Sequence, residues 1–397
     1  MSGRIITRNV WYLSLVSLFA DVASELLYPV VPVYLKSIGF SMFLIGLLEG
    51  IAEAVAGMSK GYFGQWSDRR DSRLPFVRVG YLLSALAKPM MVASVQPVMV
   101  FFARTIDRFG KGIRTAPRDA LLAAESGKEH KARVFGFHRG MDTLGAVIGP
   151  LLALVFLSVF PGAYVSLFLL ATIPGLIAVA FTFGVKEKKL AEKTDPRPGF
   201  FEYFKYWRQS PPAFRKLMFP MIFFALFNSS DMLLILRMRD LTGSDQTAIM
   251  AYILYNLVYA LASYPLGSLA DKIGLKAVFS AGLLVFASVY AGMSIGGGLV
   301  HGFVMFGIYG LYMAATEGVS KAWVSKVVPQ NETATAIGLF SAMQSLALML
   351  ASSIAGAVWA VYGAGAAFML TAAASVMAFL WMLFSVSEPK VDQNRIF

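Results

Sequence analysis

Cysteine is absent from this sequence, and charged side chains are scarce. The lack of cysteine excludes a disulfide framework, a thiolate metal site and a redox dithiol. Only 15% of the 397 residues are charged and 57% are apolar, whereas soluble domains have about 25% charged residues. The chain therefore has too little polar surface to cover a soluble globule, and it is too apolar for a disordered or fibrous protein. The composition predicts an integral membrane protein.

Twelve apolar segments account for this composition. A helix needs about 20 mostly apolar residues to cross the hydrocarbon core, and none of these segments shows the short alternation of a transmembrane β-strand. Gly, Ala and Ser are frequent in them, which permits close helix packing in lipid. The predicted spans are 10–35, 42–63, 75–95, 97–121, 133–158, 163–184, 215–238, 246–268, 275–295, 299–323, 332–358 and 364–386.

The net charge of +12 indicates membrane topology rather than nucleic-acid binding, because nucleic-acid binding needs a basic face on a soluble body. Lys and Arg beside membrane spans mark the cytoplasmic side. With the N-terminus cytoplasmic, the short loops on the opposite side hold only Lys36, Arg237 and Arg239, and the basic clusters lie inside. Both termini are therefore predicted to be cytoplasmic.

The two halves of the chain are similar. A Gly-x-x-x-Asp motif with a following basic residue occurs twice, 203 residues apart, as Gly64, Asp68 and Arg69 and as Gly267, Asp271 and Lys272. This offset moves each element by six helices, so both copies have the same membrane orientation. The basic, proline-rich stretch between the copies divides the chain. We predict an N-terminal six-helix bundle at 1–184, a cytoplasmic linker at 185–214 and a C-terminal bundle at 215–397.

The two motifs resemble the loop signature of the major facilitator superfamily. Asp71 and Ser72 depart from the signature, while Arg73 fits its last position. The resemblance implies an all-α membrane protein with twelve helices in two pseudo-symmetric six-helix bundles. It also implies that Asp68 and Arg73 form a cytoplasmic gate with an acid at the end of the fourth helix, for which Asp119 is the candidate. The N-terminus of the eleventh helix, a positive dipole end, is a further expected contact of the Asp68 carboxylate.

The fifth predicted helix carries a glycine and proline pattern at Gly136, Gly145, Gly149 and Pro150. This spacing is similar to the segment found in proton-driven antiporters of the superfamily. The final Gly-Gly of that segment is missing, because Ala153 and Leu154 stand there. The alternative is a glycine groove for close helix packing together with a proline kink.

Ionisable residues inside the spans are the candidate functional residues, because each costs about 2.5–3.5 kcal/mol at the centre of a membrane helix. Asp21 and Glu25 share one face of the first helix and could form a proton site. Arg104, Asp107 and Arg108 lie on one face of the fourth helix, and the resemblance implies proton transfer by an arginine there. The other candidates are Glu49, Glu53, Asp142, Asp231 and Glu317. The alternative is a structural ion pair or, for Glu49, snorkelling to the outer interface.

Energy sources other than an ion gradient lack a sequence signal. Gly110 and Lys111 are preceded by Thr105 where a phosphate loop has its first glycine, and the three histidines are scattered. A catalytic nucleophile motif is also missing, so we do not expect an enzyme. No cofactor or metal is expected, and protons are the expected coupling ion.

The sequence therefore predicts a secondary transporter of a small organic solute that is coupled to protons. The glycine and proline pattern favours efflux by antiport, whereas the arginine-rich fourth helix favours import of an organic anion or metal chelate by symport. A receptor or scaffold would not explain so many buried charges. The expected partners are the solute and the lipid bilayer, without nucleic acid. We expect a monomer with many spans in the cytoplasmic membrane of a bacterium.

Overall fold

The described part of the chain is helical. In a computed structural model it comprises residues 5–28, 30–31, 34–35, 39, 42–70, 72–93, 96–127, 129–187 and 197–386, and these residues include no strand. The first six helices are α1 (Arg8–Glu25), α2 (Met42–Arg69), α3 (Leu74–Met90), α4 (Pro97–Glu125), α5 (Lys131–Val159) and α6 (Tyr164–Thr182). Each falls on a predicted span, which confirms the all-α fold class.

Two helical turns, Glu202–Lys205 and Tyr206–Gln209, precede the second set of helices. That set is α7 (Pro212–Ala225), α8 (Asp231–Thr242), α9 (Asp245–Ile273), α10 (Leu275–Ile295), α11 (Leu299–Lys326) and α12 (Thr333–Ser385). The last two predicted spans both lie in α12. They are divided at Gly363, whose φ of 84° leaves the helical region and is accessible to a residue without Cβ.

The seventh predicted span, 215–238, is broken into α7 and α8, and the prediction of one continuous helix was wrong here. Three polar residues, Asn228, Ser229 and Ser230, stand at the break. Such side chains compete with helical hydrogen bonds and favour caps. Ser230 caps α8 by accepting a hydrogen bond from Met232 N, at 3.3 Å. Its own backbone N–H donates to Ser352 Oγ, at 3.0 Å.

Six of the described helical segments are long and apolar enough to cross a bilayer. They are Lys131–Val159, Tyr164–Thr182, Gln246–Ile273, Leu275–Ile295, Leu299–Lys326 and Gln330–Ser385. The 29-residue helix α4 is also long enough, but it carries charged residues from Arg104 to Glu125. Such a helix is stable in a membrane only when its charged face is covered by protein or lines a polar cavity.

The described residues fall into two compact units that differ from the predicted halves. Unit 1 takes residues from Met1–Gly127, His138–Ser210 and Val328–Leu346, and unit 2 from Lys128–Phe137, Pro211–Val327 and Ala347–Phe397. The first part of α5 therefore groups with unit 2, and the first part of α12 groups with unit 1. Of the predicted linker, residues 197–210 belong to unit 1, and residues 211–214 belong to unit 2, where α7 begins. The physical reason for this grouping is that the two loop motifs, described below, bind the first turns of α5 and α12.

Glycines bring α3 and α4 together inside unit 1. A Cβ on Gly80 would lie 2.6 Å from the carbonyl oxygen of Gly110, and a Cβ on Gly110 would lie equally close to that of Gly80. Larger side chains would push the two backbones apart, as at other small-residue helix crossings in membranes. This close approach turns part of the charged face of α4 toward α3 rather than toward lipid.

Candidate functional site

Asp107 of α4 lies between two cations in unit 1. Lys88 Nζ is 3.7 Å from Asp107 Oδ1, and Arg104 Nη1 is 3.4 Å from Asp107 Oδ2. All three side chains are buried. A carboxylate in this position balances the buried positive charge, and removing it would leave cations without compensation. Arg104 and Asp107 thus lie together on α4 as predicted, and Lys88 of α3 joins them.

A second network joins α1, α4 and α5 in the same unit. Arg118 donates to Asp119 Oδ1 from Nε and Nη2, at 3.0 and 2.8 Å, and to Ser17 Oγ from Nη1, at 3.0 Å. Ser17 in turn donates to Asp142. Arg139 Nη1 is 2.6 Å from Asp142 Oδ2. Asp142 is therefore held by a hydroxyl and a guanidinium, and Asp119 accepts from Arg118; its expected contact with Asp68 and Arg73 stays a prediction.

Asp21 and Glu25 lie on the part of α1 that packs against α5. Asp21 is half-buried, in the electrostatic field of Asp142 and Glu25, with Lys111 and Arg139 as the opposing cations. Within the described residues, no hydrogen bond or ion pair holds the Asp21 side chain. Asp21 and Asp142 thus form an unequal pair, in which one carboxylate is fixed and the other is available for exchange with a ligand or a proton.

Helix α2 contributes one acid to this side of α4. Arg108 Nη1 lies 3.9 Å from Glu53 Oε2, and Lys60 acts on the same carboxylate through space. Glu53 is therefore compensated by cations from two helices. The side chain of Glu49, the other predicted acid of α2, lies outside the described residues.

The glycine pattern of α5 serves helix packing. A Cβ on Gly145 would lie 2.6 Å from the carbonyl oxygen of Leu18, and one on Gly149 would lie 2.6 Å from the backbone nitrogen of Leu26. Gly136 makes the corresponding approach in unit 2, at 2.3 Å from the carbonyl oxygen of Ser263. Pro150 lies inside α5. These contacts favour the packing alternative, and they fix the depth at which Asp21 faces α5.

The first loop motif caps the start of α12 within unit 1. Asp68 Oδ2 accepts hydrogen bonds from the backbone N–H and the hydroxyl of Thr335, at 2.7 and 2.9 Å. Asp68 Oδ1 accepts from Arg73 Nη2, at 2.8 Å, and the same nitrogen donates to the carbonyl of Gln330, at 3.0 Å. A Cβ on Gly64 would lie 2.3 Å from the carbonyl oxygen of Ala334. The expected contact of Asp68 with this helix N-terminus is present.

The second loop motif makes the matching cap in unit 2. Asp271 accepts from the backbone N–H groups of Ala132 and Arg133, at 3.1 and 2.8 Å, in the first turn of α5. Lys326 Nζ lies 3.7 Å from the same carboxylate. Gly267 takes the place of Gly64, because its Cβ would lie 2.4 Å from the Ala132 carbonyl. Lys272 is exposed. Each motif thus secures the N-terminus of a helix from the opposite half of the sequence.

Residues 197–210 of the predicted linker pack against the first motif. We call this stretch the linker segment. Glu202 Oε1 lies 2.5 Å from Arg69 Nη2. The backbone N–H of Gly199 and the guanidinium of Arg69 hold the pKa of Glu202 below its ordinary value. Tyr206 donates to Glu332, at 2.9 Å, and burial raises the pKa of its hydroxyl, which keeps that proton. The segment therefore bridges the ends of α2 and the start of α12.

Asp231 is the centre of an aromatic site in unit 2. Its Oδ1 accepts from Tyr309, at 2.6 Å, and its Oδ2 accepts from Tyr255, at 2.8 Å. The two tyrosine rings lie 5.3 Å apart, and Glu317 of α11 adds a like charge to the field at Asp231. Among the described side chains, no cation forms an ion pair with this carboxylate. The site can accept a proton or a cationic group.

A sequence model of the Major Facilitator Superfamily matches this chain at residues 13–238 and 221–396. The chain is a member of the major facilitator superfamily. It is therefore an integral membrane protein and a transporter, in a superfamily of transporters rather than enzymes. In this family member, the sequence contains both loop motifs, and in the structure each motif caps the N-terminus of a helix.

Other members share its sequence or its fold. An uncharacterised MFS-type transporter of Methanocaldococcus jannaschii is 32% identical over 364 residues, which is 90% of each chain. A multidrug resistance efflux pump homologue of Lactococcus lactis is 25% identical over 38% of each chain. The human organic anion transporter MFSD10 superposes with a TM-score of 0.79 at 17% identity, covering 94% of this chain and 99% of the other. The Escherichia coli fucose:proton symporter gives 0.75 at 14%, covering 97% and 100%.

Several residues of the site were not predicted from the sequence of this superfamily member. Lys88 had a signal, because it is a basic residue deep inside a predicted apolar span. Ser17 and Tyr309 had none, since hydroxyl groups are common in membrane helices and acquire a role here only through the carboxylate beside them. Thr335 was implied through the expected contact of Asp68 with its helix.

Proposed function

We propose that this protein is a proton-coupled secondary transporter that exports a small organic solute in exchange for protons by alternating access. The observation that carries the proposal is the unequal pair of carboxylates on α1 and α5. Asp142 is fixed by Arg139 and Ser17, while Asp21 beside it has no hydrogen bond or ion pair in the described part of the chain. A half-buried acid of this kind can bind and release a proton as its surroundings open to water.

The arrangement in the membrane belongs to the same proposal. We place twelve spans in two bundles, with both termini cytoplasmic, in a monomer of a bacterial cytoplasmic membrane. Alternating access then requires the two bundles to rock about a central site. The caps formed by Asp68 and Asp271 would hold the cytoplasmic side closed, and their release would open it. Asp231 with its two tyrosines is the proposed contribution of the C-terminal bundle to the solute site.

A second candidate, import of an organic anion together with protons, has its own support. On the described buried face of α4 and α3, Lys88, Arg104 and Arg114 act on the carboxylate of Asp107, so positive charge is in excess there. Fold neighbours include an organic anion transporter and a proton symporter. A multidrug efflux pump homologue and a multidrug resistance protein among the sequence relatives support the antiport version instead.

Flux in proteoliposomes distinguishes the two candidates. A thermal-shift screen of the purified protein against drugs, sugars, organic acids and chelates selects the solute, with ethidium and benzoate as the first cationic and anionic probes. An imposed proton gradient should then drive the selected solute against the direction of proton flow. Movement in the same direction as protons would overturn antiport and support symport. Flux that is independent of the gradient would overturn both.

A further inference from the structure

The linker segment has a buried face and an exposed face. Tyr203 and Tyr206 are buried, and a Cβ on Gly61 of α2 would lie 2.3 Å from the Tyr203 ring. The opposite face carries Phe201, Phe204, Lys205 and Arg208. Phe201 is 60% exposed and Phe204 is 39% exposed. Positions 201, 204, 205 and 208 have the spacing of one helical face, so the segment is amphipathic, with aromatic and basic residues directed away from unit 1.

The start of the linker segment lies against an aromatic group at the end of α2. The Phe200 ring is 5.3 Å from that of Tyr62, and the Arg197 guanidinium lies 5.0 Å over the Trp66 ring. Tyrosine and tryptophan near the ends of membrane helices lie at the level of the lipid head groups. A segment that packs on these rings is at the same depth, so its outward phenylalanines reach the boundary between head groups and acyl chains.

We propose that the exposed face of the linker segment binds the membrane surface and prefers anionic phospholipid. The phenylalanines would enter the head-group region, as in amphipathic helices that lie in the plane of a membrane. Lys205 and Arg208 are exposed and would contact the phosphates, since basic residues beside a membrane are attracted to anionic lipids. Glu202, the one acid of the segment, is turned to Arg69, so the outward face is purely cationic. This surface is independent of which solute is transported.

Site-directed labelling tests the proposal directly, because the chain has no native cysteine. Gln209→Cys, exposed on the linker segment, and Glu129→Cys, exposed in a loop, each provide one site for an environment-sensitive fluorophore. The protein is reconstituted in phosphatidylcholine vesicles that contain spin-labelled lipid, with and without about 30% phosphatidylglycerol. We expect quenching by the lipid at position 209 to exceed that at position 129 about threefold, and to increase with phosphatidylglycerol.

Two double variants separate the contributions of the face. Phe201→Ser with Phe204→Ser should abolish the excess quenching at position 209. Lys205→Gln with Arg208→Gln should keep the quenching in neutral lipid and remove the increase with phosphatidylglycerol. All four side chains are exposed, and a thermal unfolding curve checks each protein. If the phenylalanine variant fails to fold, the charge variant still decides the lipid preference.

Three outcomes would overturn the proposal. The label at position 209 could be as open to aqueous iodide as the label at position 129, with no response to spin-labelled lipid. The quenching could be identical with and without phosphatidylglycerol in the wild-type segment. Protection could also depend on the protein-to-lipid ratio rather than on lipid composition, which would assign the face to a contact between copies of the chain.

Discussion

Replacing Asp68 by asparagine tests whether this carboxylate holds the start of α12 in place and thereby keeps the cap closed. Asp68 accepts from Arg73 at 2.8 Å and from the N–H and hydroxyl of Thr335 at 2.7 and 2.9 Å. Asparagine keeps one acceptor oxygen but loses the charge, and its NH₂ group faces one of these donors. A hydrogen bond to a charged group contributes about 1.5–3 kcal/mol. A loss of about 2 kcal/mol raises the open population roughly 30-fold.

Cysteine modification measures this population. Ala334 is fully buried and adjoins Thr335, so Ala334→Cys gives a reporter in a background free of cysteine. When closing is faster than the reaction, the rate of maleimide modification is proportional to the open fraction. We expect Asp68→Asn to increase that rate roughly 30-fold. Thr335→Ala should increase it roughly tenfold, the low end of that range, because only the hydroxyl bond is lost and the backbone N–H remains.

Ala171→Cys is the matched control for this experiment. Ala171 of α6 is also fully buried, in an apolar cluster of unit 1 that contains Leu167 and Phe168. Its modification rate should be the same in the Asp68→Asn and wild-type backgrounds, which shows that the variant has not loosened the whole unit. An unchanged rate at Ala334→Cys in the folded Asp68→Asn protein would refute the closing role of the cap.

Three further outcomes follow from the geometry. Asp21→Asn and Glu25→Gln should each abolish proton-driven flux in proteoliposomes and preserve solute exchange, which needs no proton; wild-type driven flux in both variants would count against the carboxylate assignment. Gly145→Leu should lower the unfolding temperature, because a Cβ there meets the Leu18 carbonyl at 2.6 Å. Gly307→Leu, with nothing within 4 Å, is its control, and equal temperatures would contradict the packing argument. Because the pKa of Glu202 is lowered from 4.5, its ion pair with Arg69 stabilises the linker segment above that pH and is lost as the pH falls through the lowered value. Proteolysis of the segment should therefore accelerate on acidification, and Glu202→Gln should remove that dependence.

Helix positions could be predicted from the sequence because length and apolarity decide them. The predicted spans reproduced α2 to α6 and α9 to α11 closely, whereas α1 ends at Glu25, well before the predicted end at residue 35. The break between α7 and α8 was missed because hydropathy averages over Asn228, Ser229 and Ser230, although these residues favour a cap. The local charge pattern also predicted that α4 is covered by protein. The partners of its charges could not be predicted, since Lys88 and Ser17 reach them only through helix packing.

The grouping of helices into units was also beyond the sequence pattern. The repeat correctly relates Asp68 to Asp271, and Gly338 stands 202 residues after Gly136, at the corresponding place in the second half. A repeat relates a residue to its copy, however, and not to the residues that it contacts. Gly136 packs on Ser263, and Gly338 packs on Lys60, where an added Cβ would lie 2.5 Å from the Lys60 carbonyl oxygen. Both partners come from the other half of the sequence. The first parts of α5 and α12 are therefore exchanged between the predicted halves.

The two caps are unequal, and the difference lies in the last position of the motif. Arg73 in the first copy binds both Asp68 and the carbonyl of Gln330. Its counterpart in the second copy, Lys276, donates instead to the carbonyls of Leu383 and Val386, at 2.7 and 2.6 Å. Those carbonyls lie at the end of α12, where a cation is favoured by the helix dipole.

Within the described residues, Asp271 accepts from two backbone N–H groups and lies 3.7 Å from Lys326 Nζ. No guanidinium or hydroxyl of that part of the chain donates to Asp271 as Arg73 and Thr335 donate to Asp68. The first cap should accordingly be the stronger of the two. If both caps close the same side of the transporter, the Asp271 cap opens first and the Asp68 cap sets the barrier. Asp68→Asn should then change the rate of opening more than Asp271→Asn does, although the two residues occupy equivalent positions in the repeat.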